Sequence, residues 1–300
     1  MPNGQVRTAP AGRARWAGIV LLVAVAVLAL ALPPLGGRRV AGRPGPIELP
    51  DPPAVGQCLQ AAEPAGTSPR FPRFGTCDSG SALGEVAAVR FRVAGAAGPP
   101  GEDDCTAAIA SYAGLRPTAT GWGLPGPAAR QDPVWRIPFQ AAPEWVRQAP
   151  GLPTSASGWD ACIASPPMVN WQRGSLAGAY AGGRLPAGYG RCWVARNPEP
   201  QDAMIACAWP HITELLGVVT GASTDDADRT AGSCRHLAAQ LMGRPDPTVD
   251  GALAVQIGWG DPVADDTETA AFCYVATTDG RLVEGSLVGL GGAAIDYFGS

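Results

Sequence analysis

The chain has 300 residues, 46% of them hydrophobic, and its 40 Gly and 31 Pro exclude a long helical bundle and approach the loop-rich range. Nine Trp and eight Cys point instead to a packed, cross-linked body. All 22 basic residues are Arg, and six of them fall in residues 1–50 with a single acid, so residues 51–300 hold 16 Arg against 25 acids; a net of −9 leaves no footprint for phosphate backbones and excludes nucleic acid as a partner.

Residues 1–15 read as a short cytoplasmic segment. From Trp16 to Gly37 no residue is charged, and Ile19 to Leu32 is almost wholly Leu, Val and Ala. At a helical rise of about 1.5 Å per residue, this run spans a hydrocarbon layer of about 30 Å, so residues 16–35 are expected to form a transmembrane anchor that makes the membrane a partner. Ala29-Leu30-Ala31 supplies the competing reading, a cleaved signal peptide. Arg7, Arg13 and Arg15 before the span balance Arg38, Arg39 and Arg43 after it, so orientation rests on the cysteines. An even number with no CxxC pair belongs to an oxidising compartment, which puts the C-terminal body outside the cytoplasm of a single-pass membrane protein. Residues 36–53, rich in Pro, Gly and Arg, read as an extended tether, with the folded body beginning near Ala54.

The cysteines fall into two matching series. Cys58, Cys77, Cys105 and Cys162 are followed by Cys192, Cys207, Cys234 and Cys273, with similar neighbourhoods. Gly56-Gln57-Cys58 matches Gly190-Arg191-Cys192, each a strand opening after a glycine. After the second cysteine, Glu85 and Glu214 each lead an apolar run. The third cysteine opens Ala-rich helices over Thr106 to Gly114 and Arg235 to Gly243, with acids before the start and glycine at the end. Twelve residues beyond the fourth cysteine stand Gly174-Ser175-Leu176-Ala177-Gly178 and Gly285-Ser286-Leu287-Val288-Gly289. The expected fold is α+β, with two tandem disulfide-stapled repeats over 54–182 and 186–300, each a small antiparallel sheet with one covering helix. Aligning Gly121-Trp122-Gly123 with Gly258-Trp259-Gly260 places an inserted loop at about 126–155 of the first copy.

If each copy closes on itself and the copies agree, three connectivities remain. First-to-second with third-to-fourth is favoured, because the first pair staples neighbouring strands while the third cysteine sits on a helix and the fourth on the strand it covers. Loops of this size contribute roughly 3 to 4 kcal/mol each. With only two His and no close Cys or His pairs, neither a metal nor a cofactor is expected.

His211 and Glu214, three apart, would meet on one helical face as a general base and its orienting carboxylate; the alternative is a structural hydrogen bond at an element start. No Gly-x-Ser-x-Gly elbow occurs. Trp122 and Trp259 are assigned to the core of each copy. Trp135 and Trp145, without counterparts, are the candidates for an exposed, glycan-stacking loop. The acidic run Asp261, Asp265, Asp266 and Glu268 lacks an EF-hand pattern and reads as a solvated loop.

Gly-x-Cys, then Cys207-Ala208-Trp209-Pro210-His211-Ile212-Thr213-Glu214, then Cys234 opening a helix, a Trp, and Cys273 resemble the septum-formation family of actinobacterial envelope proteins. The resemblance extends from about Val55 to Gly291. The first copy keeps Cys77 and Glu85 but has Ala82 in the histidine's place, which does not suit a role needing two equivalent histidines. It implies a membrane-anchored, extracytoplasmic protein associated by name with division and without a defined catalytic activity. The expected function is a non-catalytic binding or scaffold protein of the cell envelope, partnered by a division or envelope protein or by wall polymer. The alternatives are an envelope hydrolase using His211 and a glycan-binding module using exposed Trp.

Overall fold

A computed structural model of the chain describes residues 49–61, 71–93, 101–118, 121–125, 134–148, 158–198, 202–260 and 269–299. The expected anchor at 16–35, the tether as far as residue 48 and the acidic run at 261–268 lie outside the described residues. None of the described helices is long and apolar enough to cross a membrane.

The body is α+β, with antiparallel strand pairing throughout. Chain order runs β1 (Cys58–Gln60), β2 (Phe74–Gly75), β3 (Ala82–Arg92), α1 (Glu102–Tyr112), β4 (Arg116–Thr118), β5 (Gly121–Gly123), β6 (Ala142–Arg147) and β7 (Gly158–Ser165). It continues through β8 (Arg191–Trp193), β9 (Ile205–Ala206), β10 (Thr213–Thr220), α2 (Ala227–Met242), β11 (Leu253–Gly260) and β12 (Ala270–Thr277). One sheet has the order β2-β1-β3-β7-β6 and the other β9-β8-β10-β12-β11, so corresponding strands occupy corresponding places. The registers agree too. Cys58 lies opposite Glu85 and Cys192 opposite Glu214, and each long strand bulges just beyond its glutamate, between Val86 and Ala88 and between Leu215 and Gly217.

The central strands carry near-continuous apolar runs because both of their faces are covered. In α1 the acids Glu102, Asp103 and Asp104 occupy the first turn, where the helix dipole favours them. In α2 the buried stripe Thr230, Cys234, Leu237, Ala238 and Leu241 has helical spacing. It starts at Ala227, two turns earlier than the expected Arg235, because Asp228 belongs inside the first turn and not before it. Gly243, at φ 68°, closes α2 in the left-handed conformation.

All eight cysteines are paired. Cys58–Cys77 and Cys192–Cys207 tie the first strand of each sheet to the turn after the second or to its edge, while Cys105–Cys162 and Cys234–Cys273 fasten each helix to its strand with Cα atoms 5.5 Å apart. The inner faces of both sheets and both helices share one apolar cluster, which includes Ile109, Leu176, Leu216, Leu237 and Val275. The two halves are therefore not independent cores.

Three expectations are corrected. Strand β6 stands beside β7 as β11 stands beside β12, with Trp145 opposite Cys162 and Ile257 opposite Cys273. The chain peculiar to the first half is thus about 116–141 and not 126–155. Trp122 lies in the separate β4–β5 ribbon and Trp259 in β11, so their shared Gly-Trp-Gly string marks unrelated strands. The folded body includes Pro50, whose carbonyl accepts from Gln148 Nε2 at 2.8 Å and Trp159 Nε1 at 3.0 Å, ahead of the expected start at Ala54.

Gly289 sits at φ 74°, and a Cβ there would overlap the Gly183 carbonyl and come within 2.6 Å of Arg184 Cα, whereas Gly178, at φ 61°, has open space around it. Gly289→Ala should therefore cost roughly 2 kcal/mol in urea unfolding and Gly178→Ala only about 1 kcal/mol, the backbone term alone. Equal losses would contradict the close approach.

Candidate functional site

Two buried carboxylates organise the halves. Glu85, 0% exposed on β3, accepts from Tyr112 Oη at 2.7 Å and Ser175 Oγ at 2.6 Å through Oε1, and from the Leu176 N–H at 2.6 Å through Oε2. Glu214 on β10 accepts from Ser286 Oγ and the Leu287 N–H, both at 2.6 Å. The repeated Gly-Ser-Leu strings are thus carboxylate-holding turns. The same loops satisfy the helix C-termini, since Gly178 and Tyr180 donate to the Tyr112 and Ala113 carbonyls, as Gly289 and Gly291 do to those of Leu241 and Met242, all at 2.8 Å. Both partners of each latch were visible in the sequence as separate strings; their meeting across the fold was not. Leu241 stands where Tyr112 does, so among the described residues Glu214 has two donors where Glu85 has three. Burial pushes its carboxyl up to about 7, against the lowering by Ser286 and Leu287, and burial together with Glu85 pushes the Tyr112 hydroxyl up to about 12.

His211 and Glu214 do not share a helix, which corrects the helical-face expectation. The segment Thr213–Thr220, with β-branched Thr213, Val218, Val219 and Thr220, is a strand, and His211 forms a bridge just before it with Val283. The ring Nδ1–H donates to the Trp209 carbonyl at 2.9 Å. A carbonyl only accepts, so the proton is on Nδ1 and Nε2 carries the lone pair. Burial lowers the pKa of this imidazole, against the raising by its bond to the Trp209 carbonyl. Nε2 has no hydrogen-bond partner among the described residues. Ligand-type atoms of Cys192, Cys207, His211 and Glu214 lie within 4.8 Å of one another, with the two cysteines joined as a disulfide. At 1% exposure each, His211 and Glu214 are closed to a substrate.

Trp135 is not an exposed binding residue. It is 3% exposed, its Nε1 donates to Ser233 Oγ on α2 at 2.9 Å, and the adjacent Arg136 pairs with Val218 of β10 through two backbone bonds of 2.8 and 2.9 Å. This segment clasps the first half to the second, because an indole beside Gly217 fills space that a Cβ would occupy. Trp145 is half-buried in β6, donates to the Gly101 carbonyl at 3.1 Å and lies 5.2 Å beneath the Arg90 guanidinium.

The open aromatic surface lies elsewhere. Trp171 and Trp209, with Pro167, Met168, Val169 and Asn170, line a shallow pocket of about 430 Å³, and Trp209 is 54% exposed. The Arg173 guanidinium stacks 5.2 Å from the Trp171 ring. Sequence reasoning passed over both residues, although a signal existed: counted from the cysteines, Ser79 stands in the place of Trp209 and Leu282 in that of Trp171. Compared with protein-family models, with curated proteins and with solved structures, the chain matches none.

Proposed function

We propose that the protein is a membrane-anchored, extracytoplasmic, non-catalytic binding module of the cell envelope, built by tandem duplication and related to septum-formation proteins, that holds a wall glycan at the Trp171–Trp209 pocket. The pocket carries this reading. Flat indole faces stack on sugar rings, the Asn170 amide both donates and accepts, and an open cleft suits a polymer that passes through it. The net charge of −9 over residues 51–300 disfavours polyanions, which leaves a neutral or amino-sugar chain as the ligand class. Support for export comes from the four disulfides, for the anchor from the uncharged run at 16–35, and for duplication from the matched strand order, register and bulges. Trp209 itself belongs to the Cys-Ala-Trp-Pro-His string that resembles the septum-formation family.

The test is co-sedimentation of the full chain, in detergent, with purified wall glycan. Trp209→Ala and Trp171→Ala should each weaken binding about tenfold, near 1.4 kcal/mol, while the buried Trp135→Phe leaves it unchanged. Undiminished binding by the Trp171→Ala/Trp209→Ala double variant would overturn the proposal.

A further inference from the structure

We infer that Cys192, Cys207, His211 and Glu214 form a latent site for a single thiophilic divalent cation of the zinc class, open when the Cys192–Cys207 bridge is in its dithiol form. The imidazole carries the inference. His211 is fully buried, its Nδ1–H is held by the Trp209 carbonyl, and the other ring nitrogen, Nε2, has no hydrogen-bond partner among the described residues. A ring nitrogen oriented by an Nδ1–H···O=C bond is how proteins present histidine to a metal. Leaving a buried acceptor unmatched costs free energy that a purely structural residue would avoid.

With a ring nitrogen of His211, two sulfurs and a carboxylate oxygen lie within 4.8 Å of one another, a donor set of the kind that four-coordinate zinc takes. Glu214 is held by Ser286 and Leu287 with lone pairs to spare. The first half serves as an internal comparison. Cys58, Cys77 and Glu85 repeat the arrangement, but Ala82 replaces the histidine and the Tyr112 hydroxyl occupies the carboxylate. Among the described residues, the full set is found in the second half alone.

The chemistry balances with a small dithiol as reductant. Two electrons and two protons pass from the dithiol to the bridge, giving two Cys thiols and the oxidised, cyclic disulfide of the reductant. The sulfurs then part to about 3.8 Å, the edge of a tetrahedron with Zn–S bonds near 2.3 Å. Binding of the cation displaces both thiol protons to solvent, together with the Glu214 carboxyl proton wherever that group is protonated, and His211 contributes the Nε2 lone pair with its Nδ1–H kept on the Trp209 carbonyl.

The full chain in detergent is treated with a dithiol under native conditions, its thiols are mapped by mass spectrometry, and it is titrated with Co²⁺ and then Zn²⁺. The dithiol form should take up one Co²⁺ per chain, with thiolate-to-cobalt charge-transfer and tetrahedral d–d bands that Zn²⁺ abolishes, and the oxidised form should take up none. His211→Gln, which keeps a buried polar side chain, should lower affinity at least tenfold. Zn²⁺ present during oxidative refolding should slow formation of the Cys192–Cys207 bridge and leave that of Cys58–Cys77 unchanged. The inference falls if the reduced chain binds no cobalt, if His211→Gln binds as well as wild type, or if the bridge opens only with loss of the near-UV circular dichroism of the folded state.

Discussion

Glu85→Ala should destabilise the body by roughly 2 to 4 kcal/mol, because it strands the buried Leu176 N–H, worth roughly 1 to 3 kcal/mol when left unpaired in the interior, and takes the acceptor from the half-buried Tyr112 hydroxyl, while the Ser175 hydroxyl, on an exposed residue, turns to water. The loss should be partly shared with Tyr112→Phe in a double-mutant cycle, since both changes break one network. A loss below about 1 kcal/mol in urea unfolding would mean that the latch is dispensable. The counterpart in the second half differs in kind. Burial raises the Glu214 carboxyl from 4.5 to about 7, so the folded state holds the proton more tightly than the unfolded chain. The sign follows from that difference. This group's stabilisation is complete below about pH 4.5 and is lost as pH rises through about 7, a change of roughly 3 kcal/mol. Glu214→Gln should flatten that slope between pH 5 and 8, which unfolding midpoints across the range would reveal.

Removing a helix-to-strand disulfide should be equally damaging. Cys105–Cys162 closes a separation of 57 residues and Cys58–Cys77 one of 19, so the paired alanine variants should lose roughly 4 and 3 kcal/mol respectively in the chain-entropy account. The larger figure is a substantial part of the roughly 5 to 15 kcal/mol that keeps a domain folded. Cys105 and Cys162 are also fully buried beneath α1, so their removal releases the helix from the core that both halves share. An unfolding midpoint lower for the Cys58–Cys77 variant than for the Cys105–Cys162 variant would contradict this ordering.

Much of this architecture was legible where residue type and spacing act locally. Cys105 and Cys234 marked helices because the Ala-rich stretches behind them end in glycine, although the helices begin about one and two turns earlier, at Glu102 and Ala227, and Glu85 and Glu214 marked the central strands because each leads an apolar run. The cysteine spacings led to the pairing because a helix packed on a strand brings its buried residue to that strand. Long-range placement was not legible. Gly-Trp-Gly dictates a local extended shape without choosing a partner, so Trp122 and Trp259 looked equivalent although one lies in a ribbon and the other in a sheet. Trp135 looked like surface because Pro-rich flanks resemble a loop, yet the fold carries it onto α2, where Ser233 receives its N–H. The three-residue interval from His211 to Glu214 fits a helix on spacing alone, and β-branched neighbours decided for a strand. Trp171 and Trp209 lie 38 residues apart, and no local rule brings them to one pocket.

Proteolysis of the oxidised, full-length protein under non-reducing, acidic conditions, followed by mass spectrometry of the linked peptides, tests the proposed duplication into self-closed halves most directly. The expected result is four linked pairs, Cys58–Cys77, Cys105–Cys162, Cys192–Cys207 and Cys234–Cys273, with no free thiol. A single peptide joining a cysteine from the first four to one from the last four would contradict it.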